Sequence, residues 1–288
     1  MLKKYMSPFL IVIVFVSSCT LQKESVNKAA NEEIKYCDTT IDINNVNEFY
    51  LKRLFECGNT EDAFYVIRTH KDNFSIDESI GVGALLFDYG YIKEAISYLE
   101  SSASQGSGEA LYRLGYIYSI SSDFKDIKKS LMYFEKAIKA GYYEAFYDLG
   151  YILLSEDQYK NIGLAKYYFE ESIKEGNYMG YYGLGEVSLI EGDFDSAKKY
   201  FNLCLEKGYL FEGYNGMLKL YLYNENYNEH NVDKSKEYLD LILKMNNPQK
   251  YLIAYEFYKF DSKFKNIKLA DHYKKLAQNY EDTVANHE

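Results

Sequence analysis

The chain has 288 residues, with 43 Asp and Glu against 33 Lys and Arg, and a formal net charge of −10 at pH 7. That balance suits no phosphate backbone, so no nucleic-acid partner is expected. Only 2 prolines and 18 glycines accompany a helical periodicity, which argues against sheet, and the 33 tyrosines alongside no tryptophan invite an account of what so many rings do.

At the N-terminus, Lys3 and Lys4 precede the apolar run Phe9–Val16, and Val16-Ser17-Ser18-Cys19 follows. A basic start, a short apolar stretch and small residues before a cleavage point form a secretory signal over residues 1–18. The run is shorter than the ~20 apolar residues that span a bilayer. The four residues ending at Cys19 resemble the bacterial lipobox, which implies cleavage before Cys19 and acylation of its thiol and amine. The alternative is an ordinary secretory signal with an incidental cysteine. Residues 19–45 are polar and aperiodic and read as a tether. Helical pattern starts near Val46, where VNEFYLKRLFECGNTEDAFYVIRTH reads as a degenerate helix pair that caps a stack.

Next comes a unit written twice. EALYRLGYIYSISSDFKDIKKSLMYFEKAIKAGYY is followed by EAFYDLGYILLSEDQYKNIGLAKYYFEESIKEGNY, and together they fill Glu109–Tyr178 without a gap. A tyrosine recurs in the second half of each unit: Tyr98, Tyr133, Tyr168, Tyr200, Tyr238 and Tyr273. Small residues stand three before it (Ala95, Ser130, Ala165, Ala197, Ser235, Ala270), and mostly small ones four after it, among them Ser102, Ala137, Ser172 and Cys204. These offsets mark one face of a helix, with the tyrosine as its expected buried centre. Asp126, Asn161, Asp193, Asn231 and Asn266 stand where an N-cap belongs, and Gly106, Gly141, Gly176 and Gly208 where a helix closes. An earlier helix in each unit carries a Leu-Gly pair (Leu114-Gly115, Leu149-Gly150, Leu184-Gly185), with Met217 taken as the next glycine position; loss of a side chain there permits close helix contact. Each unit thus reads as helix A, turn, helix B.

The pattern A-x-Y-x-LG-x-x-Y, then D/N-x-x-x-A/S-x-x-Y-[FL]-x-x-[AS], then a closing Gly, resembles the Sel-one-like repeat (SLR), a relative of the tetratricopeptide repeat. The resemblance covers roughly 78–210 strongly and 211–280 weakly. It implies an all-α, right-handed α-solenoid of stacked antiparallel helix pairs, about six to seven of them over 46–280, with 281–288 as a polar tail. It also implies that helix A lines the inner, ligand-facing surface. On that helix Tyr112 and Tyr116, Tyr147 and Tyr151, and Tyr182 with Glu186 stand one turn apart in successive units, an aromatic ladder suited to binding. The alternative is that these rings pack between repeats.

No catalytic residues emerge. His70, His230, His272 and His287 are scattered, no metal-ligand spacing occurs, and Gly81-Val82-Gly83 has Leu86 where a dinucleotide loop needs its third glycine. No metal and no cofactor is expected. Cys204 falls on the small column and reads as packing, while Cys37 and Cys57 lie where an exported location allows a disulfide. The expected function is a non-catalytic, lipid-anchored bacterial envelope scaffold that holds a partner protein in its groove. Glycan binding, to peptidoglycan or exopolysaccharide, is the alternative, and a cell-wall-related hydrolase a remote one. SLR lipoproteins serve exopolysaccharide export, envelope assembly and host contact, and the resemblance does not choose among these. Thr20, rather than Asp, after Cys19 points to the outer membrane if the organism has two.

Overall fold

The computed structural model describes residues 48–223, 231–260 and 263–285; the expected signal segment, Cys19 and the tether with Cys37 lie outside them. Among the described residues there are fourteen α-helices and no strand. Taken in order they form seven A and B pairs: α1 (Glu48–Glu56) with α2 (Thr60–Thr69), α3 (Ile76–Asp88) with α4 (Ile92–Ser104), α5 (Gly108–Ile120) with α6 (Ile127–Lys139), α7 (Ala145–Ser155) with α8 (Ile162–Lys174), α9 (Met179–Glu191) with α10 (Phe194–Glu206), α11 (Leu210–Tyr223) with α12 (Val232–Leu243), and α13 (Lys250–Phe260) with α14 (Ile267–Ala285). The last helix runs to Ala285, past the expected boundary at 280. The fold is an all-α solenoid of the tetratricopeptide-like type. The chain divides after Ser130 into two compact units.

The helix boundaries follow the local chemistry. Asp126, Asn161, Asp193, Asn231 and Asn266 each accept the backbone N–H three residues on, at 3.0 to 3.1 Å, satisfying donors that the first turn leaves open. Gly106, Gly141, Gly176 and Gly208 all have φ between 86° and 91°. That is the left-handed conformation a helix-closing residue needs and a side chain resists.

Packing corrects the centre of the helix B face. The small residues flanking the tyrosine column are buried, from Ala95 to Ala277. Tyr98 is buried as well, but Tyr133, Tyr168, Tyr200, Tyr238 and Tyr273 are only half-buried. The fully buried side chain is the next residue: Leu99, Phe134, Phe169, Phe201 and Leu239, all at 0% exposure. The column tyrosines instead cover this core, with Tyr200 on Tyr181 at 6.4 Å and Tyr273 on Tyr258 at 5.8 Å between ring centroids.

Glycines on helix A receive these buried rings. In the second unit Phe169 of α8 lies against Gly150 of α7 and Gly183 of α9. A Cβ placed on either glycine would come 2.9 or 2.4 Å from the ring. Phe201 of α10 lies between Gly185 of α9 and Gly216 of α11 in the same way, at 2.3 and 2.2 Å. α8 and α10 thus each send one aromatic wedge between two successive A helices. Contacts agree: α8 packs on both α7 and α9, and α10 on both α9 and α11. Successive A helices also touch directly, α7 with α9 and α9 with α11, whereas no comparable packing joins α8 to α10 or α10 to α12 among the described residues. The A helices form the closely spaced face of the unit.

Candidate functional site

That closely spaced face carries the candidate binding residues. In the first unit, Tyr112 and Tyr116 of α5 are half-buried, and the Tyr116 ring meets Phe87 of α3 edge-on at 6.0 Å. In the second unit the tyrosines sink deeper. Tyr147 is 2% exposed and lies against Phe169 at 5.7 Å and Tyr151 at 6.1 Å; Tyr182 is 5% exposed and lies against Phe201 at 5.9 Å. The ring faces of Tyr147 and Tyr182 are therefore core, as the packing alternative has it, and only their hydroxyl ends are left for other work. Tyr151 and Glu186, one turn further along α7 and α9, remain half-buried.

The hydroxyl ends meet a polar cluster that reaches one repeat further than the sequence reading placed it. Thirty-three residues after Tyr182 and Glu186 stand Asn215 and Lys219 on α11. The Tyr182 hydroxyl accepts from Asn215 Nδ2 at 3.2 Å and from Lys219 Nζ at 2.9 Å. Lys219 Nζ also donates to Glu186 Oε2 at 3.0 Å, and both side chains of this ion pair are 19% exposed. Two polar atoms in this neighbourhood have no hydrogen-bond partner although they are buried: the Tyr147 hydroxyl and Glu186 Oε1.

Electrostatics ties the group together. Burial, then the nearby Tyr151, Tyr182, Asp148 and Glu212, holds the Tyr147 phenol well above its ordinary range. Burial, with Glu186 and Tyr151 next, does the same for Tyr182. The Tyr151 phenol is raised too, burial outweighing the opposing pull of Lys219. Burial also lifts the Glu212 carboxyl. The cluster is thus one of neutral hydroxyls and carboxylates surrounding a single ammonium group.

Chemistry elsewhere is sparse. Among the described residues no group of His, Cys, Asp and Glu is placed to hold a metal, and no helix is long and apolar enough to cross a membrane. Cys204 is free and fully buried against the α10–α11 core, where burial raises its thiol to about 12, so it is a packing residue. Cys57 is disulfide-bonded, and Cys37, its expected partner, lies outside the described residues.

Known proteins share the repeat. Residues 88–107, 108–142, 144–177 and 176–209 match the Sel1 repeat. Among solved structures, a Sel1 repeat protein from Oxalobacter formigenes is 18% identical with a TM-score of 0.51, over 84% of this chain and 100% of that one. A protective antigen of uropathogenic Escherichia coli strains, which displays an SLR fold, is 14% identical with a TM-score of 0.53; the match takes in 82% of this chain and spans 61% of that one. At these identities the likeness is one of fold. No curated protein matches the chain.

Proposed function

Residues 88–209 being an array of Sel1 repeats, we propose that the chain is a non-catalytic, lipid-anchored scaffold of the bacterial envelope that holds a partner protein on the A face of its solenoid. A stack of Sel1 repeats is a protein-interaction fold. The observation that carries the finer reading is the cluster on α7, α9 and α11. There, polar groups from three successive repeats converge on one face, two of them buried without a partner. A stack held together only by apolar contacts has no need of such groups, since each unpartnered one costs stability. The anchor half of the proposal rests on Val16-Ser17-Ser18-Cys19. Glycan binding is the weaker reading for this face, because Tyr147 and Tyr182 bury the ring surfaces on which sugars stack.

One fractionation of two variants tests both halves. Cys19→Ser is expected to move the protein from the detergent phase to the soluble phase with its helicity unchanged; continued partition into membranes rules out acylation as the anchor. Tyr151→Ser is expected to stay with the membrane, keep its melting temperature within a few degrees, and lose at least about tenfold in partner retention. Retention equal to the wild type rules out the α7 surface.

A further inference from the structure

The cluster on the A face also has a chemical preference. We propose that it receives an amine or guanidinium, so that the partner segment lying on α7, α9 and α11 is basic; this rests on the scaffold reading above and specifies its ligand.

The argument starts from what is left unsatisfied. Glu186 uses Oε2 to hold Lys219, while its Oε1 is buried and accepts nothing. The Tyr147 hydroxyl is likewise buried with no partner. A carboxylate oxygen can only accept, and a phenol accepts as readily as it donates. A group rich in N–H donors satisfies both, and a carboxylate or phosphate satisfies neither without meeting Glu186.

Charge on the surrounding helices points the same way. The ionisable side chains of α7, α9 and α11, tyrosines and Cys apart, are Asp148, Glu186, Glu191, Glu212 and Lys219. The one base is already bound to Glu186 and to the Tyr182 hydroxyl, so it offers an incoming anion little. The B helices α8, α10 and α12 are nearer balance, with six lysines against seven acids, a formal −1 compared with −3 for α7, α9 and α11. A segment led in by opposite charge is therefore directed to the A face rather than to the B face. Of the three tyrosine rings only that of Tyr151 is left partly exposed beside the cluster, while the Tyr182 ring already has the Lys219 ammonium 5.4 Å from its centroid. Lys219 itself shows the geometry from within the chain, its ammonium held between a tyrosine hydroxyl and Glu186.

The test uses the full chain and two labelled, end-blocked peptides, hexa-arginine and hexaglutamate, followed by fluorescence anisotropy at fixed ionic strength. The arginine peptide is expected to bind, and the glutamate peptide at least about a hundredfold more weakly. Glu186→Gln is expected to weaken the arginine peptide about tenfold, whereas Glu170→Gln, which removes the same charge from an exposed site on α8, leaves it within about twofold. Because Glu186→Gln also disturbs Lys219, Tyr147→Phe serves as a second variant. It removes only the unpartnered hydroxyl, so the fold is kept and affinity falls about threefold. Equal effects of Glu186→Gln and Glu170→Gln, no effect of Tyr147→Phe, or preference for the glutamate peptide each overturns the assignment of a basic ligand. If the native partner is still lost on Tyr151→Ser, the scaffold reading survives that failure; if the partner is also retained, both readings fall.

Discussion

Phe169→Ala is expected to destabilise the second unit by about 3–5 kcal/mol, the usual loss for truncating a buried aromatic ring. Phe169 is fully buried and is the wedge that α8 drives between Gly150 and Gly183, with Tyr147 5.7 Å away. Its removal opens a cavity shared by three helices, none of which can close it alone. Tyr168 next to it is half-buried and covers Phe146 at 6.0 Å, so Tyr168→Ala is expected to cost only about 1–2 kcal/mol. Urea denaturation of the two variants reads the difference. A larger loss at Tyr168 than at Phe169 would place the core of helix B one residue earlier than described.

The second large effect has a sign that helix propensity alone gets wrong. Gly180→Ala replaces a poor helix former with the best one, a change favoured by up to about 1 kcal/mol in a free helix. Here a Cβ would lie 2.3 Å from the Phe169 backbone carbonyl oxygen and 2.8 Å from Ile173. A backbone atom has no rotamer through which to retreat, so α8 and α9 must part, and overpacking of this kind costs about 1–3 kcal/mol or more. Gly163 provides the contrast, since its nearest neighbour is Asn161 Oδ1 at 3.7 Å. Gly163→Ala is therefore expected to be neutral or slightly stabilising while Gly180→Ala is clearly destabilising. The same sign at both positions would show that α8 and α9 do not approach as closely as described.

The contrast between Tyr168 and Phe169 also shows where sequence reasoning stops. N-caps and closing glycines were legible because each acts on its own helix: Asn161 needs only the N–H of Leu164, and Gly176 only its own φ of 89°. The buried face was legible as a face but not as a centre. Small residues at −3 and +4 from Tyr168 stand at −4 and +3 from Phe169, and both pairs lie on one side of a helix. Local spacing cannot choose between them; the contacts from α7 and α9 do.

The binding face was legible in part for a related reason. Tyrosines a turn apart marked α5 and α7, and Tyr182 with Glu186 marked α9, but identical residues do not imply identical exposure, and Tyr147 and Tyr182 turned out to be core by their rings. The fourth step was missed because its residue types change to Asn215 and Lys219. The signal was present in the alignment of GYYGLGE at 180–186 with GYNGMLK at 213–219. That alignment also moves the Leu-Gly glycine position from Met217 to Leu218 and pairs Gly216 with Gly183, each of which meets the buried ring of the preceding helix B. What no local pattern conveys is that the amide of Asn215 and the ammonium of Lys219 reach back to the preceding repeat.

The central claim is that a partner lies along α7, α9 and α11, and site-specific photo-crosslinking in native membranes tests it most directly. A photoreactive phenylalanine analogue placed at Tyr151, on the A face, is expected to capture a discrete partner. The same group at Tyr167, 49% exposed on helix B, is expected to capture none. Capture from Tyr167 and none from Tyr151 would contradict the account.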